Sequence, residues 1–189
     1  MKILDVGGCV NPYKGATHII DVLPRPSKLD QKIEYTQKDV CQGKWPYEDK
    51  EFDMVYCSNL LEDVKDPIHV CNELMRVAKK GTIIVPSPWI ECRKGVDVWP
   101  GNEHYAGFVH HRWICFYENN TLVFMQKTPI STVYNWTKGM TDEDIKNKAF
   151  LKIEWKDQFL ANEIVYADWH HWYAKLKSFF GIDPKGDNL

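Results

Sequence analysis

The chain has 189 residues, 24 basic and 26 acidic, for a formal charge of −2, and 44% of its residues are hydrophobic. That composition supports one ordinary domain with a real core and excludes a disordered chain. No basic excess is present for binding nucleic-acid phosphates, and no stretch beyond ten residues lacks Asp, Glu, Lys or Arg, too short to span a bilayer. The N-terminal run Met1-Lys2-Ile3-Leu4-Asp5 is too short for a signal peptide, and the six cysteines include no CxxC pair. A cytoplasmic protein with reduced thiols, without membrane or nucleic-acid partners, is expected.

In chain order, Lys2–Val6 reads as a short apolar strand that runs into Gly7-Gly8, and His18–Val22 as a second strand closing on Asp21. Lys32–Lys38 alternates and runs into Asp39-Val40; Phe52–Cys57 and Thr82–Val85 are rich in Val and Ile, as strands covered on both faces are. Between the last two lies a helix with Asp66 as cap and Pro67 in the first position. Its apolar face carries Ile68, Cys71, Leu74 and Ala78, and Gly81 is its expected stop. Strands alternating with short crossovers predict an α/β domain with a mostly parallel sheet.

The second half changes character. Arg112–Tyr117 and Thr121–Gln126 flank Glu118-Asn119-Asn120 as an antiparallel hairpin. Leu151–Trp155 and Ala161–Tyr166 predict a second hairpin around Lys156–Leu160, and Asp168–Phe180 a C-terminal helix ended by Gly181. No repeat or linker divides the chain. The expected organisation is one domain, 1–189, with a cofactor-binding half at 1–90 and a substrate-side half at 91–189.

Polar loops follow each of the first strands, and open parallel sheets bind ligands beyond the carboxyl ends of their strands. Gly7 and Gly8, Asp21, Asp39, and Ser58-Asn59 would converge there. Glycines let backbone approach a ligand, Asp21 suits a ribose diol, and Asp39 suits an adenine amino group. A nicotinamide dinucleotide needs a G-x-G-x-x-G turn beneath its pyrophosphate. Gly7-Gly8-Cys9-Val10-Asn11-Pro12 lacks that pattern, and eleven residues (7–17) between the strands leave room for little more than one helical turn. A nucleoside without a pyrophosphate fits better.

Leu4-Asp5-Val6-Gly7-Gly8, Asp21, Asp39-Val40 and Phe52–Val64, followed by Asp66-Pro67, Glu73–Val77, Lys80-Gly81-Thr82 and Val85-Pro86, resemble the class I S-adenosylmethionine-dependent methyltransferases, in particular those acting on small molecules. The likeness covers roughly residues 2–90. It implies a Rossmann-like three-layer sandwich with S-adenosylmethionine as cofactor. The cofactor residues implied are Asp5, Gly7, Gly8, Asp21, Asp39, Val40, Ser58 and Asn59, the last two near the sulfonium and the acceptor. Three departures from the family pattern stand out: Cys9 and Asn11 replace glycines, Asp63 stands where a His is frequent, and no lid helices are expected before the first strand. A differently shaped loop or weakened cofactor binding follows from the first departure. Cover from a subunit partner, from the C-terminal helix, or no cover at all follows from the third.

Seven of the eight Trp and five of the seven His lie in 89–172. The run His104–Trp113 follows the fifth strand on the same sheet edge. A hydroxyl acceptor must lose a proton as it attacks the methyl group, and His110 and His111 are the expected catalytic bases. A metal held by His104, His110 and His111 lacks HxxxH or HExxH spacing, so none is expected. Trp89, Trp99 and Trp113 are candidate stacking walls for a sugar or heteroaromatic ring, alongside plain core duty; His170 and His171 are read as surface or packing residues. The function expected is methyl transfer to oxygen or nitrogen of a small molecule, possible as a homo-oligomer, with a sugar or glycan precursor as one acceptor class. The competing reading is an inactive methyltransferase-like module that binds a partner protein.

Overall fold

A computed structural model describes residues 1–97, 104–128, 134, 136–166 and 168–181. Four of the five predicted leading strands form in the interior of the sheet: β1 (Ile3–Val6) and β2 (His18–Asp21), buried throughout, and β4 (Met54–Ser58) and β5 (Lys80–Pro86), buried in part. The remaining one, β3 (Glu34–Gln37), is partly exposed because it forms the sheet edge. With β8 (Phe150–Lys156) they make a six-stranded sheet ordered β3-β2-β1-β4-β5-β8, parallel except for β8, which pairs antiparallel with β5. The order reverses between β1 and β4, and such a switch point opens a crevice beyond the strand ends. This is the mostly parallel α/β sheet with Rossmann-like order that the sequence implied.

Helix α1 (Pro67–Val77) begins as predicted: the Asp66 side chain accepts from His69 N at 2.8 Å and Pro67 occupies the first turn. Its end differs. The helix stops at Ala78, whose strand-like backbone bridges to Phe52, and Gly81 lies inside β5. A Cβ at Gly81 would fall 2.6 Å from Val55 Cγ1 and 2.8 Å from the Trp155 ring, so this glycine admits Trp155 rather than ending a helix.

The hairpin of β6 (Trp113–Glu118) and β7 (Thr121–Gln126) forms as expected, and Asn119 (φ 48°) and Asn120 (φ 62°) make the two-residue turn. The second hairpin does not form. The chain turns at Asp157 (φ 65°), and β9 (Leu160–Ile164) leaves β8 to pair parallel with β7 in a separate three-stranded sheet, β6-β7-β9. Two anchors account for the departure. Trp155 stays over Gly81, while Phe159 packs on Trp155 at 5.3 Å and places its N–H against Met75 on α1.

Two further helices escape the sequence reading: α2 (Pro88–Glu91), capped by Ser87, and α3 (Asp142–Lys148), with a Thr141/Asp144 capping box. The C-terminal helix α4 (Trp169–Phe180) starts at an Asp168 cap and ends at Gly181 (φ 67°), as predicted. Trp113, Cys115, Leu122 and Phe124 join α1 and the six-stranded sheet in the main core. The opposite face, Ile114, Phe116, Val123 and Met125, packs on Trp172, Tyr173 and Leu176 of α4. The layers are therefore the large sheet, then α1 with the small sheet, then α4. No helix among the described residues is long and apolar enough to cross a membrane.

Candidate active site

Two cavities of about 260 and 300 Å³ open at the carboxyl ends of the parallel strands. The first is walled by Gly7, Asp21, Val22, Asp39, Val40, Cys41, Leu60, Asp63, Val64, Lys65 and Arg112. The second is walled by Asn59, Glu62, Asp63, Pro86, Phe108, His110, His111 and Phe150. Asp63 belongs to both walls, so the two spaces adjoin. A third cavity, of about 460 Å³, opens beside Met54, Lys80 and Lys156 and holds none of the predicted residues.

The structure brings Gly7, Asp21, Asp39 and Val40 to one wall. Gly7 takes φ +80°, a conformation that suits glycine, and a Cβ there would press to 3.1 Å from Leu60. Asp21 is buried at the end of β2; its two oxygens accept from Cys9 N at 3.1 Å and Leu23 N at 2.9 Å. Each oxygen keeps a second lone pair for a ligand hydroxyl. Asp39 accepts from Cys41 N at 2.9 Å and Gln42 Nε2 at 2.8 Å, and these bonds hold its carboxyl below the usual range.

Asp5 and Gly8 stand behind that wall and brace the loop. The Asp5 carboxylate accepts from Tyr13 N at 2.7 Å, and a Cβ on Gly8 would lie 2.0 Å from Asp5 Oδ2. Burial raises the Asp5 carboxyl to about 6, against the Tyr13 hydrogen bond. Cys9 and Asn11 do not take positive φ. The loop instead turns Cys9 inward, its thiol 3.7 Å from Pro24 O, so the family's glycines are unnecessary for this shape. The positive-φ Gly7, the Asp21 carboxylate with lone pairs to spare and the apolar Val40, Leu60 and Val64 fit an adenosine-bearing cofactor.

Ser58 ends β4 and stays off both walls, whereas Asn59 (φ 50°) reaches the second. There His110 and His111 stand edge to face at 4.4 Å, and His104 is not part of the group. His111 Nδ1 lies 2.6 Å from Glu91 Oε1, and Glu91 Oε2 accepts from Lys127 Nζ at 2.9 Å. That pairing leaves Nε2 facing Asp63 Oδ1 at 3.9 Å. Burial opposes charge on His111, but the hydrogen bond and charge of Glu91, with Asp63 and Glu62, outweigh it and raise its pKa. Burial lifts Asp63 as well and drives Glu62 to about 8. Gly107 (φ +64°) allows this loop to close on α2, since a Cβ there would sit 2.4 Å from Glu91 O.

Glu62, Glu91 and Lys127 escaped the sequence reading. Glu62 lay inside a quoted motif but carried no pattern of its own, and Glu91 sits in a four-residue helix with no periodicity. Trp113 serves the core, donating to Val64 O at 2.7 Å, and Trp89 packs on Phe180 at 4.9 Å; neither is a wall of the two cavities. Trp99 lies outside the described residues. His170 and His171 are exposed beside their Asp168 cap. Helix α4 covers the small sheet rather than the cleft.

Residues 16–85 match a family model described as a methyltransferase domain. Solved structures similar to the chain include an S-adenosylmethionine-dependent methyltransferase from Mesorhizobium loti, 16% identical over 53% of this chain and 54% of that one, TM-score 0.39. Another is a SAM-dependent methyltransferase from Aquifex aeolicus, 18% identical over 56% and 65%, TM-score 0.37. The N-terminal domain of EvdMO1 with SAH bound is 14% identical over 82% and 59%, TM-score 0.36. The chain spans less than two thirds of the length of each. No curated protein sequence matches significantly. The matched segment, less than half of the chain, is similar to a methyltransferase domain, and S-adenosylmethionine is the cofactor that this likeness indicates.

Proposed function

We propose that the protein transfers a methyl group from S-adenosylmethionine to an oxygen or nitrogen of a small molecule. The observation that carries this reading is the shared wall at Asp63: the cleft lined by Gly7, Asp21 and Asp39 and a second cavity lined by polar, titratable side chains stand on either side of it. Gly7 and Gly8 shape the turn beneath the cofactor, Asp21 receives its ribose hydroxyls, and Asp39 and Val40 flank its adenine. When bound, the cofactor supplies a methyl group on a positively charged sulfur that becomes neutral on transfer.

The protein's part is therefore placement, since in-line displacement gains most from holding the reacting atoms ~3 Å apart and aligned. Asp63 marks the wall the two spaces share, and Asn59 lines the acceptor side beside it. His110 and His111 form the acceptor-side pair that receives the reacting O–H or N–H and draws off its proton. Glu91 fixes the ring of His111, so that Nε2 is the atom presented. Phe108 and Phe150 give apolar faces against which the ring of a sugar or glycan precursor packs.

Titration of the purified protein with S-adenosylmethionine tests the first half of the proposal. Saturable binding at micromolar ligand is expected, and no binding at millimolar ligand overturns it in favour of an inactive module. Incubation with labelled cofactor and a panel of hydroxyl and amine acceptors then tests transfer.

A further inference from the structure

Among the described residues, every buried carboxylate oxygen without a hydrogen-bond partner lies in one place: both oxygens of Glu62 and Oδ1 of Asp63. Both residues wall the cavity beside His110 and His111, and Glu62 is fully buried. Buried acceptors without donors are costly, and a protein keeps them where something else satisfies them. Lys127 does not serve, because its ammonium is committed to Glu91 and to Phe108 O at 2.8 Å.

We propose that Asp63, His110 and His111 bind a divalent transition-metal ion of the zinc type, and that its open coordination positions take a hydroxyl oxygen of the methyl acceptor. One ligand atom from each residue lies within 4.8 Å of the others. Ligands of a tetrahedral zinc ion stand about 3.3 Å apart for bonds of about 2.0–2.2 Å, so side-chain adjustment alone closes the set. Two imidazoles and a carboxylate suit a borderline ion such as zinc or cobalt.

The surroundings agree. A metal-ligating histidine commonly gives its other ring nitrogen to a carboxylate, which fixes its orientation. His111 does so at 2.6 Å to Glu91, itself braced by Lys127. Glu62 adds an unspent carboxylate facing the same cavity. Three protein ligands with open positions toward a cavity describe a site built to meet a substrate. The acceptor part of the proposal rests on the methyl-transfer reading and narrows it to hydroxyl acceptors. With the ion bound, His110 and His111 are its ligands rather than bases, the ion acidifies the hydroxyl, and the Glu62 carboxylate beside it takes the proton. The ion site itself does not depend on the methyl-transfer reading.

The test is titration of chelator-treated full-length protein with Co²⁺, followed by visible absorption, and with Zn²⁺ by calorimetry. One ion per chain is expected. His110→Ala and Asp63→Asn, at exposed and half-buried positions, weaken it at least tenfold, and Glu91→Gln weakens it ~10–100-fold. His170→Ala, on the other histidine pair, leaves it unchanged. No uptake at millimolar ion, or uptake indifferent to His110→Ala and Asp63→Asn, overturns the proposal. S-adenosylmethionine titrated into the same samples separates the readings. Cofactor binding without ion uptake removes the ion and leaves methyl transfer, whereas ion uptake without cofactor binding does the reverse.

Discussion

The two halves of the molecule build their share of the cleft by different means. In residues 1–90, the buried parallel strands β1 and β2 and the edge strand β3 deliver Gly7, Asp21 and Asp39 to one rim, because each lies at or just beyond a strand end and neighbouring strands are in register. Position in the sequence is there nearly position in the site. In residues 91–166 the acceptor side depends on long-range closure. Arg112 N donates to Glu62 O at 2.7 Å, tying the loop before β6 to the loop after β4, and Glu91 reaches His111 from a separate short helix. Regular sheet geometry makes a site readable, whereas closure of irregular loops makes one that must be seen.

That contrast can be broken at several points. The largest effect is expected on the acceptor side: His111→Ala lowers turnover ~10²–10⁴-fold, the range of a lost acid–base group, while S-adenosylmethionine affinity stays within about threefold. Equal loss of both, measured by steady-state kinetics and titration, would place His111 in the cofactor cleft instead. Gly8→Ala comes next, destabilising by about 2–4 kcal/mol through the clash with Asp5. Asp5→Ala in the same chain is expected to recover part of that loss in urea unfolding, and an additive double mutant would show that the brace is not Asp5.

Asp5 also predicts a pH dependence. Its carboxyl titrates at about 6 in the folded protein against 3.8 as the reference, so the folded state holds the proton more tightly. Stability from this group is full below pH ~4, falls as pH rises to ~6 and is level above, by at most about 3 kcal/mol. Asp5→Asn is expected to flatten that slope while keeping an acceptor for Tyr13 N. An unchanged slope assigns it elsewhere. The smallest effect is expected for Asp21→Asn, about tenfold in cofactor affinity (about 1.4 kcal/mol). Asp21→Ala is less clean, because it leaves Cys9 N and Leu23 N without their acceptor.

Much of the first half was legible because its signals are local. Uncharged β-branched runs mark buried strands and Asp66-Pro67 marks a helix start; in the second half the paired asparagines mark a tight turn by an equally local signal. The second predicted hairpin failed for a reason no window of sequence contains. Strands β8 and β9 have suitable patterns, but Gly81 opens a slot that the Trp155 ring enters, and β7 offers β9 a free edge. Gly81 itself reads equally well as a helix stop until Trp155 stands over it. Glu62 and Glu91 were missed likewise, since a carboxylate acquires meaning from what surrounds it.

Residues and their neighbours along the chain thus determined the strand ends, the acidic and glycine turns beyond them and the kind of ligand those turns suit. Propensity, alternation and capping act over a few residues. Only the tertiary structure decided which of two sheets each late strand joined, that Asp5 braces a loop, and that unpartnered carboxylates meet two histidines beside the cleft. Packing and desolvation depend on groups tens of residues apart, and their effect exists only once the chain has closed on itself.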